Sequence, residues 1–107
     1  MEIAFAKRSI RQLCENERTA QRLLGKKAAE KLKARLADLS AADYVKDLVV
    51  GRPREAHGGR RIVIDLCDEI QLVFCVNHNV APTMQNGAVD WSRVNRVKIE
   101  KIGRARV

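Results

Sequence analysis

Hydrophobic and polar positions alternate over residues 2–6, with Ile3 and Phe5 on one side, which predicts a short strand. A helix follows over about residues 7–15, burying Ile10, Leu13 and Cys14. A longer one is predicted from near residue 17 to residue 39. Its apolar positions Ala20, Leu24, Ala28, Leu32, Leu36 and Leu39 form one stripe, which Leu23 widens. Gly25 weakens the interior of that helix by about 1 kcal/mol relative to alanine, so a kink or break belongs there. Beyond residue 40 the period changes. Residues 49–53 close a connecting stretch, and residues 57–61 (His-Gly-Gly-Arg-Arg) read as a flexible basic loop. Residues 62–66 and 70–76 are β-branched and apolar with only three residues between them, which predicts a hairpin. With residue 68 at its tip, Ile62 faces Phe74, Ile64 faces Leu72 and Leu66 faces Ile70, and this face is assigned to the helices. The opposite face then carries Arg61 with Cys75, Val63 with Val73, and Asp65 with Gln71. A long loop over 77–91 holds Pro82, Asn86-Gly87 and Trp91, and a last strand over 94–102 carries Val97 and Ile99 on one side. Strand, two helices, then strands indicates an α+β domain spanning residues 1–107. Two N-terminal helices should pack on one face of a small, mainly antiparallel sheet.

Composition narrows the function classes. The core must be aliphatic, because Phe5, Tyr44, Phe74 and Trp91 are the only aromatic residues. No apolar run approaches the roughly 20 residues that span a bilayer, and the N-terminus meets charge too soon for a secretory signal, so a complete cytoplasmic protein is expected. Three widely spaced cysteines, Cys14, Cys67 and Cys75, make no disulfide framework, and Cys14 and Cys67 read as small apolar fillers. With no CxxC, and with His57 and His78 outside zinc-ligand spacing, neither a metal nor another cofactor is expected. The net charge is +8, and it is concentrated. Residues 1–40 carry ten Lys/Arg against five Asp/Glu, and residues 93–107 carry six against one. Residues 61–92 carry one against four. Such asymmetry favours a polyanionic partner, RNA first, over a neutral ligand, although basic helix faces also serve solubility alone.

Were a polyanionic RNA partner also a substrate, its cleavage without a metal would need a base for the 2′-OH, a cation for the phosphorane charge and an acid for the leaving oxygen. His57 is the histidine set in a basic, glycine-flanked loop, and an imidazole suits either proton-transfer role. Its plain alternative is a solvated loop residue. Arg60, Arg61, Arg104 and Arg106 are candidate phosphate clamps, since guanidinium pairs bidentately with phosphate oxygens, and Arg61 and Arg104 are grouped with His57 as the catalytic set. Arg52, Arg54, Arg60 and Arg106 are the candidate RNA contacts. Trp91 and Tyr44 read as packing residues rather than base-stacking platforms.

Three stretches carry a family resemblance. They are Arg52-Pro53-Arg54-Glu55-Ala56-His57-Gly58, the hairpin of residues 62–66 and 70–74, and Asn86-Gly87-Ala88-Val89-Asp90-Trp91-Ser92-Arg93-Val94 with the strand after it. In this order they resemble the RelE/HigB-like toxins of bacterial type II toxin–antitoxin systems, particularly the "system killer" branch, over nearly the whole chain. The resemblance implies a RelE-like fold, an endoribonuclease that cuts mRNA on the ribosome, and a cognate antitoxin. Two departures matter. The family's arginine early in the hairpin's second strand is replaced by Gln71, and the branch's Asp-Tyr-His ending is replaced by Gly103-Arg104-Ala105-Arg106. Three function classes follow: a ribosome-dependent mRNA endonuclease toxin, a toxin-fold protein that has lost cleavage and inhibits another target such as DNA gyrase, and a general RNA-binding domain.

Overall fold

Two breaks, at Asn16 and Gly25, divide the N-terminal half of the chain into three helices where the apolar stripe predicts two. The computed structural model describes residues 1–104. After strand β1 (Glu2–Phe5) come α1 (Arg8–Glu15), α2 (Glu17–Leu24) and α3 (Lys26–Ala41). Asn16 ends α1 and starts α2, its side-chain oxygen accepting the Thr19 N–H at 3.0 Å, which satisfies one of the orphan donors of the new helix. Gly25 takes φ 90°, ψ 156°, a conformation in which an L side chain is strained. Helix α2 therefore turns back on α3 instead of continuing into it. The Lys33–Glu17 ion pair, 3.8 Å, joins the start of α2 to the middle of α3. This reversal also explains Leu23, expected in the stripe but 62% exposed.

The remaining strands are β2 (Arg54–Ala56), β3 (Arg61–Cys67), β4 (Ile70–Val76) and β5 (Arg96–Arg104). They form one five-stranded sheet of order β1-β5-β4-β3-β2, in which β1 runs parallel to β5 and every other pair is antiparallel. The α+β expectation holds, with a third helix and with β2 as an added edge strand.

The hairpin register agrees with the alternation at Ile62–Phe74, Val63–Val73, Ile64–Leu72 and Asp65–Gln71. It departs at the tip. Cys67, not Leu66, lies opposite Ile70, and the shift between Asp65 and Cys67 marks a β-bulge. The two turn residues Asp68 and Glu69 both have positive φ, 48° and 67°, the signature of a tight two-residue hairpin turn. Leu66 and Ile70 nonetheless stay buried with the rest of their face. That face, Ile62, Ile64, Leu66, Ile70, Leu72 and Phe74, joins Ile10, Ala28, Leu32, Leu39, Val97 and Ile99 in one core. Trp91 closes the core, its ring edge-on to Phe74 at 6.3 Å and 81°. Among the described residues, no helix is long and apolar enough to cross a membrane.

Candidate functional site

With the helices on one side, the other face of the sheet carries the residues that alternate outward, and strand pairing arranges them in levels. The first level holds Arg61 on β3, Cys75 on β4 and Lys98 on β5. The second holds Arg54, Val63, Val73 and Lys101. The third holds Asp65, Gln71 and Gly103. A second bulge, on β5 between its pairings with Val73 and Phe74, inserts Glu100 beside Lys101.

The first level is closed by an ion pair. The Arg61 guanidinium reaches across β4 to the Glu100 carboxylate, and Cys75 lies buried between the two strands, its thiol 3.8 Å from the Lys98 carbonyl. Burial pushes the Cys75 thiol pKa up, and the Glu100 carboxylate pushes it further, so this thiol is poorly disposed to act as a nucleophile.

The third level is a polar cluster around Asp65. One carboxylate oxygen accepts from Arg54 Nη2 at 3.0 Å and from Gln71 Nε2 at 3.4 Å, and the other lies 3.4 Å from Arg52 Nε. Arg54 Nη1 also donates to the Arg52 carbonyl at 3.1 Å. The hydrogen bond from Arg54 is the main reason that the Asp65 carboxyl titrates below the usual carboxylate range, with the charges of Arg54 and Arg52 adding to it. Arg52 is left 79% exposed in its side chain. The cluster opens on a groove of about 420 Å³ lined by Arg52, Arg54, Asp65, Gln71 and the turn residues Asp68 and Glu69.

Backbone contacts fix this arrangement. Asp65 N–H donates to the Gly51 carbonyl at 2.8 Å, so the segment before β2 is held against β3. Gly51 itself has φ 87°, and a Cβ built on it would sit 2.5 Å from Ile64 Cγ2 and 3.2 Å from the Asp65 carbonyl oxygen. Only glycine fits. Arg52 follows with φ 52°, delivered to the Asp65 carboxylate by that close approach.

At the other end of the face, residues 57–60 form the β2–β3 turn, with positive φ at His57, Gly58 and Gly59. Trp91 Nε1 donates to the Gly59 carbonyl at 3.0 Å, which ties the basic turn to the core. His57 and Arg60 are exposed on it. His78 is a scaffold residue, its Nε2 accepting the Asn95 N–H at 3.2 Å.

The residues singled out from the sequence thus fall into separate groups. Arg52 and Arg54 meet at Asp65. His57, Arg60 and Arg61 cluster at the opposite end, about 13 Å away along four residues of β3. Arg104 pairs with Ile70, which places it on the helix-bearing side and roughly 17 Å along β4 from the level of Arg61. His57, Arg61 and Arg104 are not brought to one point. Arg106 lies outside the described residues. Asp65, Glu100 and Gly51 escape sequence reasoning as site residues, because their roles come from strands brought together by the fold. The one sequence signal is the pairing of Asp65 with Gln71 on the outward face. Among the described residues, no group of three or more His, Cys, Asp or Glu side chains could hold a metal ion.

Two solved structures share this architecture over nearly the full chain. One is a chain of the YoeB–YefM complex from Staphylococcus aureus, 14% identical, with 99% of this chain and 98% of that one covered at a TM-score of 0.59. The other is the YoeB/ParE toxin from Agrobacterium tumefaciens, 13% identical, with 99% and 100% covered at a TM-score of 0.59. No protein-family model and no curated protein matches the sequence. The chain shares the fold of these two structures, the RelE-like fold that its motif order implied.

Proposed function

We propose that this chain is the toxin of a type II toxin–antitoxin pair, and that it acts in the cytoplasm on mRNA at the ribosome as an endoribonuclease. The observation that carries this reading is the end-to-end likeness to two toxin structures, joined to an uncovered sheet face furnished with arginines. The YoeB–YefM structure is a toxin–antitoxin complex, which supports a cognate antitoxin for this chain too. An acidic antitoxin segment laid over the arginines would exclude RNA by competing for the same charges.

The face is better equipped to stabilise charge than to move protons. Arg52 and Arg54 at one end and Arg60 and Arg61 at the other present guanidinium groups to a phosphate backbone. Asp65 is a poor general base, because its carboxylate is held ionised by Arg54. Glu100 is already paired with Arg61, so in this reading His57, on the adjoining turn, is the proton-transfer group that serves this end of the face. Arg104 would contact the RNA from the rim.

The test is inducible expression in a bacterium, with growth and mRNA 5′ ends followed together for wild type, His57→Ala and Arg61→Ala. Growth arrest with new 5′ ends, reduced in both variants, is the expected result. Unaltered cleavage in both alanine variants would move the chemistry elsewhere on the face. Arrest without new 5′ ends would favour the non-cleaving alternative, inhibition of another target such as DNA gyrase.

A further inference from the structure

The Asp65 cluster admits two opposite roles: a carboxylate that cancels arginine charge, or one that aims it. We infer that Asp65 is a positioning residue, holding Arg52 and Arg54 as a two-guanidinium clamp that takes one phosphate of a single-stranded RNA at the arginine end of the groove. The inference rests on the RNA-directed reading of this face and specifies which groups there meet the backbone.

Three features favour aiming over cancelling. The carboxylate divides its oxygens, one to Arg54 at 3.0 Å and the other to Arg52 at 3.4 Å, so it orients two groups rather than burying one. Two guanidiniums around one carboxylate leave a positive charge over, and the Arg52 side chain stays 79% exposed. The backbone is constrained to the same end: the Asp65 N–H bond to Gly51 at 2.8 Å and the absence of room for a Cβ there fix the residue that carries Arg52. A purely charge-cancelling pair needs no such restraint, since exposed ion pairs form between mobile side chains and contribute little. Preorganised arginines, in contrast, lose less side-chain entropy on binding an anion. Asp68 and Glu69 line the same groove from the turn. With Asp65 they set three carboxylates against two guanidiniums in the groove, so a phosphate is held only where it meets Arg52 and Arg54 directly.

Gln71 fits this arrangement. Its amide donates to the Asp65 oxygen that Arg54 also uses, adding a neutral donor that does not compete for the phosphate. The phosphate contact that an arginine at this position would make falls instead to Arg52 and Arg54.

The probe is a fluorescein-labelled single-stranded oligoribonucleotide, its affinity followed by anisotropy across a salt series. The proteins are the full chain and its Asp65→Asn, Asp65→Glu, Arg52→Ala and Arg54→Ala variants, with circular dichroism confirming that each is folded. For single strands the log–log salt slope changes by about 0.7 for each phosphate contact. Asp65→Asn is expected to lower affinity and to reduce the slope by about that amount. Arg52→Ala should do the same without touching the carboxylate, Asp65→Glu should restore binding, and adding Asp65→Asn to an Arg52→Ala, Arg54→Ala double variant should lower affinity no further. Tighter binding and a steeper slope in Asp65→Asn would mean that the carboxylate only masks charge, which overturns the inference. Arginine Nε–H signals in NMR separate this failure from that of the functional reading. A wild type that binds no RNA overturns both. RNA binding with Arg52 and Arg54 signals equally sharp in wild type and Asp65→Asn overturns the positioning role alone.

Discussion

Replacing Gly51 by alanine tests the contact on which the arginine cluster depends. The substitution adds one methyl group at φ 87°, 2.5 Å from Ile64 Cγ2, 3.1 Å from Arg35 Cδ and 3.2 Å from the Asp65 carbonyl oxygen. The left-handed backbone alone costs a residue with a Cβ about 1–2 kcal/mol. Forcing a methyl against a buried isoleucine and a backbone carbonyl adds about 1–3 kcal/mol, because Ile64 is fixed in the core and neither neighbour can withdraw freely. The sum, roughly 2–5 kcal/mol, corresponds to a fall in melting temperature on the order of 10–20 °C for a domain of this size. Two other glycines separate the contributions. Gly25 has φ 90° but nothing within 4 Å of a built Cβ, so Gly25→Ala carries the conformational cost without the collision. Gly103 has open space and no left-handed φ, so Gly103→Ala should fall within about 0.5 kcal/mol of wild type. Urea unfolding of the three variants gives the comparison directly. A Gly51→Ala protein no less stable than Gly25→Ala would refute the claim that close approach to β3 holds Arg52 in place.

Trp91→Phe should cost about 1–3 kcal/mol in urea unfolding, since it removes the donor to the Gly59 carbonyl and leaves that oxygen unpaired; an unchanged midpoint would show the turn to be held otherwise. Acid should destabilise the protein through Asp65 and Asp90, whose folded-state carboxyls titrate below their usual range because of hydrogen bonds from Arg54 and Ser92 respectively. A lowered folded pKa contributes stability above the unfolded value, near pH 4, that is lost as pH falls through the folded one. Thermal melts should therefore be flat at neutral pH and fall below about pH 4, less steeply in Asp65→Asn; equal slopes would count against the assignment. The Cys14 thiol, pushed up to about 12 by burial first and the Glu15 charge second, should alkylate far more slowly in the folded protein than in urea, as read by mass spectrometry. Comparable rates in the two states would show that the helix junction opens freely.

Local alternation made the central hairpin legible, because a slip of one residue would have moved Ile62, Ile64, Leu72 and Phe74 out of the core. It could not register the bulge at Leu66 and Cys67, since a bulge leaves the burial of Leu66 unchanged while shifting its partner. The stripe from Ala20 to Leu39 looked continuous because α2 and α3 both point apolar residues at shared neighbours. A helical period does not say whether a chain goes straight through Gly25 or doubles back. Strand β2 was invisible for a different reason. Arg54-Glu55-Ala56 has no apolar alternation, and it is a strand only because β3 offers it a free edge. The last strand was expected over 94–102 and lies at Arg96–Arg104, its start delayed by the turn that Trp91–Arg93 makes under the core.

The site was legible in kind and illegible in arrangement. Basic residues near glycines mark where a phosphate backbone could approach; Arg54 and Arg61 lie on the face opposite the helices, Arg52 meets Asp65 there, and Arg60 is exposed on the adjoining turn. What the sequence withheld is how their charges are spent. Arg61 is committed to Glu100, a residue that reaches it only because β5 bulges beside Val73, and Arg54 is committed to Asp65, eleven residues away in the chain. Each pairing removes freedom from a guanidinium while leaving its remaining N–H groups available. The levels of Arg61 and Asp65 are about 13 Å apart, too far for both ends of the face to hold one phosphorane. Any strand laid across the sheet must therefore meet them at different nucleotides. If the chain cuts RNA as proposed, one end anchors the strand while the other meets the reacting bond. The end that carries His57, on a turn fastened by Trp91, has an imidazole for proton transfer; the Asp65 end has only a committed carboxylate. Under the proposed function, that difference assigns the grip on the strand to the Arg52–Arg54 end and the chemistry to the Arg60–Arg61 end.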